Sequence, residues 1–228
     1  MVRAIFIVFV VLCPLGTSPK GESHTQDINK RPARECQDAS EVLGFAVVDV
    51  EDKTVLPFFT KPDSSELPAL TVRLFQDPSI NSINHRVQGA EHFRPATLHL
   101  DYHLFELSVK SRHRGWLKVV VDEQTDRTLW MREGRAVRFV GWLPKMRSAF
   151  GVARTDQKIN HLRVKPLAQA RVVRFTGRDC FKVERMNGDW IRVVQQDHCD
   201  QVSRTSVRGW VRWRDIRGCL LVDIYPFA

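Results

Sequence analysis

Two groups of side chains in this sequence could do chemistry. The first is His99-Leu-Asp101-Tyr-His103. Residues two apart on a β-strand share a face, so a strand here would project two imidazoles and a carboxylate together. That donor set suits a divalent metal. With His92 and His113 nearby, a metal protein or enzyme using residues 92–113 is one expectation; the alternative is a polar strand face in water. The second group is Arg192, Arg208, Arg212, Arg214 and Arg217 around Trp190, Trp210 and Trp213. Arginine beside tryptophan attracts anions and stacks on planar or sugar surfaces. Strand alternation sends Trp210 and Trp213 to opposite faces. The expectation is Trp190 and Trp210 in a core and Trp213 exposed. The ligand-contact set is then Trp213 with Arg212, Arg208, Arg214 and Arg192.

No P-loop, Gly-rich dinucleotide motif, HExxH or GxSxG occurs, and no two carboxylates form an evident acid–base pair. The expectation is therefore a non-catalytic protein without a cofactor. The start of the chain is Met1-Val2-Arg3 followed by an unbroken apolar run from Ala4 to Leu12. One positive charge and a short apolar run have the layout of a secretory signal peptide, here residues 1–18, and the run falls short of the ~20 residues that span a bilayer. Leu12 before Cys13 does not fit a lipobox, so an exported, periplasmic or secreted chain is expected rather than a lipoprotein. Residues 19–40 are polar and aperiodic, as in a flexible linker. Beyond Cys13 remain Cys36, Cys180, Cys199 and Cys219, an even number in an exported chain. That number reads as two disulfides, with Cys180–Cys199 and Cys36–Cys219 preferred among three pairings. The absence of any CxxC pair argues against zinc.

The elements that must position these groups are strands. Helical periodicity is scarce; short alternating or β-branched runs separated by turn residues dominate, as in residues 45–50, 98–104, 116–121 and 181–185. Asn187-Gly188 between two such runs reads as a hairpin with a type I′ turn. A pattern also recurs. Gly115-Trp-Leu-Lys-Val-Val-Val121 matches Asp189-Trp-Ile-Arg-Val-Val-Gln195, each preceded by a strand and followed by a second Trp segment (Thr128–Met131, Gly209–Trp213). At this spacing the repeat implies two copies of one small domain. The 228 residues suffice for two cores. The formal charge of +9 favours an anionic partner. Most of it lies in residues 159–228, with thirteen Lys or Arg against seven Asp or Glu.

At these residues the sequence resembles the bacterial SH3-like (SH3b) family, whose pattern includes a turn ending in Gly/Asp-Trp, a "WxKV" strand and a closing "GWV" strand. Gly188-Asp-Trp-Ile-Arg-Val193 and Arg208-Gly-Trp-Val-Arg-Trp213 carry the likeness, with first strands expected at His161–Lys165 and Ala170–Phe175. The other copy is more divergent, with a long insertion and Leu129 where the family has Gly. The resemblance implies an all-β protein of two small SH3-like barrels in tandem, residues 41–150 and 151–228, used for binding. The implied partner is a cell-wall glycan or peptide, such as peptidoglycan, or another anionic envelope component. A periplasmic protein–protein scaffold is the first alternative. Neither nucleic acid nor an integral membrane span in the mature chain is expected.

Overall fold

The computed structural model describes residues 39, 41–79, 81–89, 92–175, 177–196 and 207–226. Alternating β-branched and aromatic residues fold there as strands whose inward side chains form the core. In chain order these are β1 (Gly44–Val48), β2 (Val55–Phe58), β3 (Leu70–Asp77), β4 (Ser82–Gln88), β5 (Thr97–His99), β6 (Leu104–His113) and β7 (Trp116–Asp122). They continue with β8 (Arg127–Arg132), β9 (Val137–Gly141), β10 (Gly151–Arg154), β11 (Phe181–Asn187), β12 (Trp190–Gln195), β13 (Arg208–Arg212) and β14 (Val222–Tyr225). A short helix, α1 (Trp142–Ser148), interrupts the series. No described helix is long and apolar enough to cross a membrane.

The strands form three antiparallel sheets, none closed on itself. Two of them repeat one plan. The order β8-β7-β6-β1-β9 recurs as β13-β12-β11-β10-β14, so in each the last strand returns to pair with the first. The registers agree residue by residue. Trp116 faces Arg132 and Lys118 faces Trp130; likewise Trp190 faces Arg212 and Arg192 faces Trp210. The incoming strand bulges at the equivalent place, at Lys110 in one copy and Glu184 in the other. The sequence repeat is therefore a structural repeat.

The two hairpin turns differ. Arg114 and Gly115 both have positive φ (45° and 82°), as a type I′ turn requires. In the second copy Asn187 pairs with Trp190, so the turn is Gly188-Asp189, one residue later than expected. Only Gly188 has positive φ there (55°), the φ pattern of a type II′ turn. The segment joining the first two strands also differs. The first copy inserts the β2-β3-β4 sheet and β5. In the second copy His161–Lys165 and Ala170–Phe175 are not strands; they contribute isolated bridges from Arg163 to Val172 and to Trp210.

Each copy has its own core. One gathers residues from Ala46 to Val137, including Phe58, Phe105 and Leu117; the other gathers Val152, Leu162, Phe181, Ile191, Val211 and Trp213. The helix α1 joins them. Met146 is buried in the second core, so the element expected to end the first domain packs into the second. Trp142 donates its indole N–H to the Val42 carbonyl (2.7 Å) and lies between Phe45 (4.9 Å) and Trp213 (5.1 Å). Lys145 reaches across to the buried Glu106 of β6, its Nζ 2.5 and 2.6 Å from the two carboxylate oxygens. Ala39, assigned to the linker by its polar neighbours, is buried in the second core and donates its N–H to the Gly218 carbonyl at 2.8 Å. The expected signal peptide, residues 1–18, and the rest of the expected 19–40 linker lie outside the described residues.

Candidate functional site

The expected metal constellation is not assembled. His99 ends β5, Leu100–Tyr102 form a turn of 3-10 helix, and His103 sits in the left-handed region (φ 54°). His99 then pairs with Leu104 across that turn, so residues 99, 101 and 103 do not share a strand face. Asp101 accepts a hydrogen bond from the Ser82 hydroxyl, and His103 Nδ1 lies 3.3 Å from the Val50 carbonyl. Among the described residues no group of three or more His, Cys, Asp or Glu side chains is placed to hold a metal ion.

The Arg/Trp region does form a surface, with its tryptophans in other places than expected. Trp213 is 2% exposed, inside the second core, and donates its indole N–H to the Gly188 carbonyl (2.9 Å). Trp190 and Trp210 are the half-exposed pair. The reason is parity. Ile191, Val193 and Val211 point inward, so Trp190, Arg192, Trp210 and Arg212 point outward, and Trp213 follows Val211 into the core.

The arginines of the expected contact set have different duties. Arg192 and Arg208 both reach Glu184, at 3.1 and 3.8 Å. Arg214 is held by Asp189 at 2.6 Å and lies over the Trp213 ring at 4.6 Å. Arg217 pairs with Asp215 at 3.3 Å. Burial pushes the Asp215 carboxyl up, but N–H donors from Cys219 and Arg217 outweigh it and hold the group below the ordinary carboxylate value. These exposed pairs contribute about 0–1 kcal/mol each and fix side-chain positions more than they add stability. Arg212 has no carboxylate partner among the described residues. Its guanidinium lies 5.1 Å from the Trp190 ring centre. Asn160 holds its backbone from both sides: Nδ2 donates to the Arg212 carbonyl (2.8 Å), and the Arg212 N–H donates to Oδ1 (3.1 Å).

Arg212 and Trp190 line a cleft of about 220 Å³ together with Ile159, His161, Arg163 and Ala168. Its lining combines aromatic and apolar side chains with the cationic Arg163 and Arg212. Sequence reasoning missed Arg163, Ile159 and His161, because they lie in an irregular segment with no periodicity to place it.

The first copy shows the equivalent surface filled. There Phe59 bridges Trp130 through two backbone hydrogen bonds (2.7 and 2.8 Å), as Arg163 bridges Trp210 (2.8 and 2.7 Å). The Phe59 ring stands edge-on against Trp116 at 5.5 Å, and Trp116 is only 9% exposed. In the second copy an arginine takes the phenylalanine's place. Its guanidinium turns away to the Ala170 carbonyl (2.7 Å), which leaves the cleft above Trp190.

Cys180 and Cys219 are both buried, at 6% and 8% exposure. Cys36 and Cys199 lie outside the described residues. No protein-family model, curated protein or solved structure matches this chain.

Proposed function

We propose that the chain is an exported, non-catalytic binding protein of the bacterial cell envelope. In this reading it is built from two SH3-like units and takes peptidoglycan or another anionic envelope component on the second unit. The carrying observation is the cleft lined by half-exposed Trp190 and by Arg212, whose guanidinium lies over the Trp190 ring and has no carboxylate partner among the described residues. The repeated strand order supports the SH3-like reading, and the concentration of positive charge in residues 159–228 supports an anionic ligand.

Retention of the purified protein on peptidoglycan sacculi across a salt series tests this. Retention is expected to fall as salt rises, because exposed charges are screened beyond ~10 Å at 0.1 M. Arg212→Ala or Trp190→Ala should each weaken it about tenfold, the scale of one desolvated cation–π or stacking contact. Absence of retention at low salt, or retention indifferent to both variants, would sink the wall-binding reading.

A protein partner is the second reading, and Phe59 against Trp116 is what favours it. An aromatic side chain already fills the matching surface of the first copy, so a partner's aromatic residue could fill the second. Such binding would survive high salt and still require Trp190.

The same export reading accounts for the cysteines as two disulfides, Cys36–Cys219 and Cys180–Cys199. Ala39 is hydrogen-bonded to Gly218, the neighbour of Cys219, and the Gln196 N–H donates to the Cys180 carbonyl at 2.9 Å. Both contacts bring the chain near the required partner in sequence. Peptide mapping without reduction should recover these two linked pairs; a Cys180–Cys219 peptide would overturn the assignment.

A further inference from the structure

We infer a second anion site on the outer face of the β2-β3-β4 sheet, where Arg73, Arg86 and Lys53 surround Phe75 and would take a phosphate group. This inference does not depend on the reading of the Trp190 cleft. It starts from register. Val55 pairs with Arg73 and Arg73 pairs with Arg86, so the three residues form one row across the sheet. Leu56, Leu70, Val72 and Leu74 point into the first core, which puts Val55, Arg73 and Phe75 on the opposite, outer face. Arg73 and Arg86 are both exposed on it.

Two like charges directly opposite on neighbouring strands have Cβ atoms about 5 Å apart and destabilise a sheet. A protein usually relieves such a pair with a carboxylate. Here neither guanidinium has an ion-pair or hydrogen-bond partner among the described residues. Neither nearby carboxylate pairs with Arg73 or Arg86, although Asp52 stands beside the site's own Lys53. Asp77 accepts hydrogen bonds from Ser79 and Asn84. Asp52 accepts the Gln76 N–H at 2.8 Å and stands 3.8 Å from Lys53. The Arg86 guanidinium lies 5.7 Å from the Phe75 ring centre, within reach of a cation–π contact.

Lys53, Val55, Arg73, Phe75 and Arg86 line a depression of about 330 Å³. Two guanidinium forks and an ammonium match the tetrahedral oxygens of a phosphate, each guanidinium giving paired, charge-assisted hydrogen bonds. Phe75 and Val55 add an apolar edge for whatever carries the phosphate. A dianion there would turn an unfavourable Arg–Arg pair into a bridged one. The phosphate could be free in solution or a lipid headgroup, and two arms of one experiment separate these sources.

In the first arm, pyrophosphate is titrated into the whole protein at constant ionic strength and followed by amide NMR shifts and by Tm. In the second, the protein is sedimented with vesicles of phosphatidylglycerol in phosphatidylcholine. Saturable binding in either arm is expected, with Arg73→Gln and Arg86→Gln each losing tenfold or more and Arg212→Ala leaving it intact. Shifts in the first arm should centre on residues 53, 73, 75 and 86. The ligand-free Arg73→Gln protein should melt at the wild-type temperature or above it, because the substitution relieves repulsion. The wild type alone should gain Tm on adding pyrophosphate. Binding in neither arm, binding that both variants retain, or a ligand-free Arg73→Gln protein that melts several degrees lower would each overturn the proposal.

Discussion

Trp213→Ala is expected to lower the unfolding free energy by about 3–5 kcal/mol, the range for truncating a buried aromatic. The indole is closed in by Trp142 and the second core, and its N–H has the Gly188 carbonyl as acceptor. Alanine would leave a void and an unpaired carbonyl beside the β11-β12 turn. Trp213→Phe should keep most of the packing and lose chiefly the hydrogen bond, about 1 kcal/mol. Denaturant melts of the three proteins give these differences. The phenylalanine variant should bind any ligand of the Trp190 cleft as the wild type does, since position 213 does not line it. A stability change below ~1 kcal/mol for alanine would contradict the burial described here.

Asp179→Ala is expected to be comparably damaging. Arg154 at the end of β10 and Asp179 just before β11 have side chains only 4% exposed. The guanidinium meets the carboxylate twice, Nε to Oδ2 and Nη2 to Oδ1, both at 2.7 Å, and the Arg154 backbone N–H adds a third bond at 2.9 Å. Removing the acid leaves a buried guanidinium whose remaining acceptor is the Asn160 carbonyl (3.2 Å). Breaking one partner of such a buried pair costs about 3–5 kcal/mol, because the surviving charge stays desolvated. Replacing both partners, as in Arg154→Met with Asp179→Leu, should recover much of that loss. A double variant no better than the single one would show that the pair contributes more than its own desolvation.

Much of the architecture was legible in the sequence. Alternation located β6, β7, β8, β11 and β12, and the paired Trp-apolar-basic segments gave the repeat that the registers reproduce. Long-range pairing was not legible. Nothing local tells Gly44–Val48 to receive both Leu104–His113 and Val137–Gly141 as neighbours. The site was legible in composition but not in orientation. Sequence parity separated Trp210 from Trp213 correctly, and the wrong one was sent outward. Ile191, Val193 and Val211 held the signal: three aliphatic residues of one parity define the inner face, and Trp213 shares it. The His99–His103 array failed for a different reason. A turn lies inside what reads as an alternating run, and a backbone reversal at His103 leaves no mark in hydropathy.

The Phe59–Trp116 contact has a consequence for valence. Duplication gave the chain two equivalent faces, and the insertion in the first copy has closed one of them with a side chain of its own. Under the proposed binding reading, the first copy's face is taken by its own Phe59, and among the described residues one face of this kind, at Trp190, is left for an outside target. On that reading, avidity would not arise from the tandem arrangement itself. It has to come from the number of chains gathered on a surface or from a repetitive target.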